Sequence, residues 1–97
     1  MPNGHQIDCG ERLTIEQVEN LYNQMESVMM EYDEIELVAD RVQQCDTASL
    51  QLILNFQRSS QTSGHKVQWR NPAEPILSVA ELLGMTELLG LNETTEQ

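Results

Sequence analysis

Basic residues are scarce in this chain. Five Lys and Arg stand against sixteen Asp and Glu, for a formal charge of −11. Such a chain repels phosphate, which excludes nucleic acid as a partner and argues against an anionic membrane surface. Aromatic residues are also few, namely Tyr22, Tyr32, Phe56 and Trp69, so the core must be mostly aliphatic. No apolar run approaches the roughly 20 residues that span a bilayer. No basic start leads into an apolar stretch, so neither membrane insertion nor a secretory signal is expected. Cysteine is limited to Cys9 and Cys45, which fits a reducing, cytoplasmic setting. Neither CxxC nor HxxxH spacing occurs, so no structural zinc and no other cofactor is expected. Cys45 reads as a small buried hydrophobe and Cys9 as an exposed thiol; a bridge between them stays open on sequence alone.

What is present fits one small domain. Ninety-seven residues bury a real but limited core. Eleven of the acids fall between Asp8 and Asp46, and residues 14–40 contain no Lys or Arg. This acidic stretch is either a solvated face or a surface that steers toward a basic partner.

Periodicity sets out the elements. A short strand is expected near residues 6–9. Thr14 opens a helix, with Gln17 at capping-box spacing. Ile15, Val18, Leu21, Tyr22, Met25, Val28, Met29 and Tyr32 follow the 3, 4 rhythm of one helical face, with the methionines as core filler. Asp33 and Glu34 break it. Ile35, Leu37 and Ala39 alternate with Glu36, Val38 and Asp40 as a strand. Asp46 is a good N-cap for a second helix with Leu50, Ile53, Leu54 and Phe56 inside, stopped at Gly64. Residues 65–70 alternate as another strand. Asn71-Pro72 and Glu74-Pro75 mark a turn and a third helix start. Its inner face is Ile76, Val79, Ala80 and Leu83, and Gly84 ends it. A short apolar turn, 85–89, follows. Alternating helices and strands favour a sheet with parallel neighbours and right-handed crossovers. The domain is expected over residues 1–91, with a polar tail at 92–97.

The segment 45–54 is the most informative. Asp46 precedes a dense apolar run, and Thr47 and Ser49 place two hydroxyls in the first turn of the helix. Exposed donors at a helix start can take up phosphate or meet a partner. Asp46 alone explains itself as a cap. Thr47 reads either as a contact residue or as a second capping hydroxyl.

The order of three stretches resembles the STAS domain family, named for sulfate transporters and anti-sigma factor antagonists. Leu13-Thr14-Ile15-Glu16 is similar to its first helix start. Val42-Gln43-Gln44-Cys45-Asp46-Thr47-Ala48-Ser49-Leu50 is similar to its strand-end, Asp-Ser/Thr-x-Gly, helix junction. Val79-Ala80-Glu81-Leu82-Leu83-Gly84-Met85-Thr86-Glu87-Leu88-Leu89 is similar to its terminal helix and short follower. The resemblance covers roughly residues 13–91. It implies an α/β fold with a small mixed β-sheet packed by about four α-helices.

The resemblance also implies function by binding. In partner-switching systems a kinase both binds the unphosphorylated STAS protein and phosphorylates a hydroxyl in this junction. The phosphate adds about −1.5 to −2 charges and disperses the pair. The usual acceptor, two residues after the Asp, is Ala48 here, and the family's glycine is Ser49. Phosphorylation at the usual position is therefore impossible, leaving Thr47 and Ser49 as candidate acceptors. The expected partner surface is Asp46, Thr47, Ala48, Ser49, Leu50 and Gln51, with the loop 71–74. The expected partner is an anti-sigma or serine kinase-like protein, or a chemotaxis signalling protein. The Asp-Thr-Ala order also resembles the STAS subunit of phospholipid-transport ABC complexes, where the partner is the ATPase.

An enzyme is not expected. Cys9 with His5 or His65 is the one conceivable nucleophile pair. It has no orienting third residue or glycine-rich oxyanion loop, and no P-loop or dinucleotide motif is present. His65, Lys66 and Arg70 form a basic cluster that a solvated strand edge explains.

Overall fold

The computed structural model describes residues 4–91; the polar stretch 92–97 lies outside them. Elements follow in the order β1 (Gly4–Asp8), β2 (Arg12–Leu13), α1 (Ile15–Met29), β3 (Glu34–Val38), β4 (Gln44–Cys45), α2 (Thr47–Thr62), β5 (Lys66–Arg70), α3 (Glu74–Leu83) and α4 (Thr86–Leu89). This is the expected α/β fold. Its sheet is simpler than the mixed one anticipated: every pairing among the described residues is parallel. β1, β3 and β5 form one sheet in that order, and the two-residue strands β2 and β4 form another. The β2–β4 pair was not legible in the sequence, because two residues carry no period.

Register explains how the sheet meets the helices. Ile7, Leu37 and Trp69 are aligned across the three strands, as are His5, Ile35 and Val67. Side chains alternate along a strand, so these six share one face. Ile7, Ile35, Leu37 and Trp69 are buried there with Val18, Leu21 and Met25 of α1 and Leu50, Ile53, Leu54 and Phe56 of α2. The edge-on contact of Tyr22 with Phe56, centroids 5.1 Å apart, joins the two helices. The opposite face carries Gln6, Asp8, Glu34, Glu36, Val38, Lys66, Gln68 and Arg70, none of them buried. Parallel sheets are usually covered on both faces. This one is solvated on one face because every second residue is polar or, like Val38, at its margin.

Helix ends follow the sequence at their C-termini. Gly64 and Gly84 have φ of 83° and 69°, the left-handed region that glycine enters without Cβ strain. The residues that follow close each helix, His65 N–H donating to Ser60 O at 2.8 Å and Met85 N–H to Ala80 O at 2.8 Å. The capping box expected at Thr14 is absent: Thr14 is the N-cap, but its side chain makes no capping hydrogen bond. α1 also ends at Met29, short of Tyr32, whose ring lies 4.9 Å from that of His5.

Candidate functional site

Asp46 is the hinge pin of the junction. Its backbone is extended, with φ −114° and ψ 169°, which turns the carboxylate back over the helix it precedes. One oxygen, Oδ1, accepts from Ser49 N–H at 2.9 Å, the N-cap role read from the sequence. The other, Oδ2, accepts from Ile15 N–H at 2.9 Å. That second bond does for α1 what the Thr14 side chain does not. A single carboxylate thus serves two helix starts, each with a partial positive charge. Burial alone would raise the Asp46 pKa, but the bonds from Ser49 and Ile15 outweigh it and hold the carboxyl below its ordinary value.

The six expected contact residues divide in two. Thr47, Ala48 and Gln51 are exposed and Asp46 is half-buried. Ser49 and Leu50 are both fully buried, at 0% exposure, which corrects their expected place on the contact surface. Leu50 belongs to the core. The Ser49 hydroxyl points inward, donating to Leu13 O at 2.6 Å with Asp46 O 3.0 Å away. It stitches α2 to β2, and a phosphate there would have to displace the β2 end. Ser49, expected as a candidate phosphate acceptor, is buried in this conformation with its hydroxyl bonded to Leu13 O. Thr47 is the first residue of α2 rather than its cap, and its hydroxyl has no hydrogen-bond partner among the described residues.

Two apolar residues expected on inner helix faces are exposed instead, Ile15 of α1 and Leu83 of α3, the latter at 37%. Ile15 is 53% exposed. Its backbone N–H is tied to Asp46, and Thr47 and Ala48, which follow Asp46 in the chain, are exposed as well. A chemical signal for this existed only in part: Ile15 begins the helical period, where a first-turn residue can fall outside the buried stripe.

The loop 71–74 is tied elsewhere. Ala73 N–H donates to Ala39 O at 3.0 Å, which fixes the start of α3 to the end of β3. Asn71 takes a left-handed φ of 51°, a conformation that asparagine tolerates better than most residues. α3 packs against β4, but no hydrogen bond joins 71–74 to the Asp46 junction among the described residues.

The thiols do not resemble nucleophiles. Cys9 is half-buried, not exposed as expected, and burial pushes its pKa up to about 12. Burial likewise pushes Cys45 up to about 11. A reactive cysteine needs the opposite shift. Both thiols are free. Among the described residues, no three His, Cys, Asp or Glu side chains gather to hold a metal ion, and no helix is long and apolar enough to cross a membrane.

No curated protein matches the sequence. The family model described as "Mlab, STAS domain" matches residues 2–90, nearly the whole chain and every element from β1 to α4. The chain belongs to the STAS domain family.

Proposed function

We propose that this STAS domain is a non-catalytic protein-binding module of a bacterial signalling pathway, and that it binds through the paired starts of α1 and α2. The observation that supports this most is the division of the junction. Asp46 and Ser49 spend their polar groups inside the protein, whereas Ile15, Thr47 and Ala48 are left on the surface with no internal task. An exposed apolar and hydroxyl-bearing patch beside satisfied polar groups is well suited to a desolvated contact. The partner class is a serine kinase-like or chemotaxis signalling protein.

Binding of this kind is constitutive at the usual phosphorylation position, because Ala48 has no hydroxyl and Ser49 is buried. Thr47 is the remaining accessible hydroxyl of the first turn. A phosphate on it would sit at a helix start that tolerates negative charge, beside the Asp46 carboxylate that does not. Its effect would fall on the partner contact rather than on the fold.

A second reading is favoured by the description of the matching family model, Mlab, together with the Asp46-Thr47-Ala48 order. That order resembles the STAS subunit of phospholipid-transport ABC complexes, and the same surface would then meet an ATPase subunit. Affinity purification of the tagged chain from its source cells, with mass spectrometry, distinguishes the two. A kinase or chemotaxis protein supports signalling; an ABC ATPase supports transport. Thr47→Glu and Ala48→Arg should each release the captured protein in either case. Retention by both variants contradicts the site.

A further inference from the structure

We propose that the outer edge of β5 is a second protein-binding site, which takes up an extended acidic segment of a partner as an added strand. This inference does not rest on the assignment of the α1–α2 junction. β5 is the outermost strand of the three-stranded sheet, and no further strand pairs with it among the described residues. Lys66 N–H donates to Asp33 O and Arg70 O accepts from Ala39 N–H. Backbone groups alternate sides along a strand, so those of Val67 and Trp69 face away from β3; with the Val67 carbonyl already held by Gln57, the Val67 N–H and the Trp69 N–H and C=O are the groups left for a new strand. The Val67 carbonyl confirms the direction, since it accepts from Gln57 Nε2 at 3.1 Å, away from β3.

That edge opens into a groove of about 600 Å³. Three of the five basic residues of the chain, Arg58, Lys66 and Arg70, line it. Glu36 and Glu87 line it too, but Arg70 lies 3.5 Å from Glu36, and the Arg58 and Lys66 side chains have no carboxylate partner among the described residues. The groove is thus net basic in a chain of charge −11.

Two buried polar atoms of groove residues also lack partners: Gln57 Oε1 and Trp69 Nε1. Trp69 is only 4% exposed. The Gln57 amide cannot be flipped to cure this, because Nε2 already donates to two carbonyls, Val67 O and Leu89 O. Unpaired buried polar groups are costly, and these two belong to residues that line the groove.

Basic residues on an edge strand also serve to repel unwanted pairing. Here they select rather than only repel. Two copies paired antiparallel about Gln68 would set Lys66 against Arg70, a like-charge pair. An acidic strand meets the same residues with opposite charge. Main-chain bonds supply affinity in this mode and alternate side chains supply specificity.

The test uses the full chain, labelled with ¹⁵N and titrated with a capped heptapeptide of alternating Glu and Val. The expected result is shifted resonances and slowed hydrogen exchange at the Val67 and Trp69 amides and at the Trp69 indole N–H. A Lys and Val heptapeptide should not produce them. Lys66→Glu with Arg70→Glu should weaken binding roughly tenfold or more. Val67→Pro removes an outward N–H while sparing the β3 ladder, and should abolish binding. If that variant fails to fold, a Glu and Val peptide N-methylated at alternate residues makes the same test on the native chain. Equal binding by the Lys peptide, undiminished binding by the N-methylated peptide, shifts mapped to Thr47 and Ala48, dimers built on β5, or no shift at millimolar peptide would each overturn the proposal.

Discussion

The junction at Asp46 and the edge at β5 are built on opposite plans. At the junction every polar group that could be internal is internal: one carboxylate closes two helix starts, and a buried hydroxyl reaches across to Leu13. At the edge, backbone groups of Val67 and Trp69 face outward and two buried polar atoms go unpaired. The first region leaves Ile15, Thr47 and Ala48 exposed around satisfied polar groups. The second shows unsatisfied hydrogen-bonding groups among basic side chains. Removing a side chain should therefore cost stability at the junction and cost only binding at the edge.

The largest stability loss is expected from Asp46→Ala. A lost N-cap costs about 0.5–2 kcal/mol, and two helix starts lose theirs together, for roughly 2 kcal/mol in total. Asp46→Asn keeps one good acceptor and should lose about half as much, roughly 1 kcal/mol. Urea denaturation of the three proteins checks this ordering. No loss at Asp46→Asn beside a clear loss at Asp46→Ala would show that the Ile15 bond adds nothing to stability.

Ser49→Ala should come next. It leaves the chain's buried Leu13 carbonyl with one fewer donor, at a cost of about 1–2 kcal/mol. That carbonyl also accepts from Asp46 N–H at 3.1 Å, which keeps the loss from being larger. Thermal unfolding reads it as a fall of several degrees in Tm for a domain of this size.

Acid should act through the same residue. The Asp46 pKa is depressed in the folded protein below its ordinary 3.8. Its contribution is fully present above that value and is lost as pH falls through the folded value. Lower pH also relieves repulsion among the many other acids, so the difference between the native chain and Asp46→Asn is the quantity to follow. That difference should shrink as the solution is acidified below about pH 4.

At the edge, Lys66→Ala should change stability by less than about 0.5 kcal/mol, the usual range for exposed positions. A loss as large as that of Ser49→Ala would mean that the edge is structural, and the comparison between the two regions would fail.

The helices and the strands β3 and β5 were legible because they are long enough to show a period. Ile35 and Leu37 alternate with acids, and Leu50, Ile53 and Leu54 recur at helical spacing; all five are buried. The Asp46 cap on α2 was equally plain, since it is a contact three residues long. Its bond to Ile15 spans 31 residues and leaves no local mark. The same is true of Ser49 with Leu13, a pair that turned an expected surface hydroxyl into a core one. Here the serine fits because its hydroxyl finds a carbonyl within reach. The basic cluster at 65–70 was visible in the sequence, but not the open edge beneath it, which depends on which strands pair.

The central claim is that the exposed residues of the junction, not its buried ones, meet the partner. Affinity capture from source cells with the native chain, Thr47→Glu and Ala48→Arg, each at equal folded concentration by circular dichroism, tests it most directly. One specific protein should co-purify with the native chain and be lost from both variants. Its undiminished recovery with both would contradict the account.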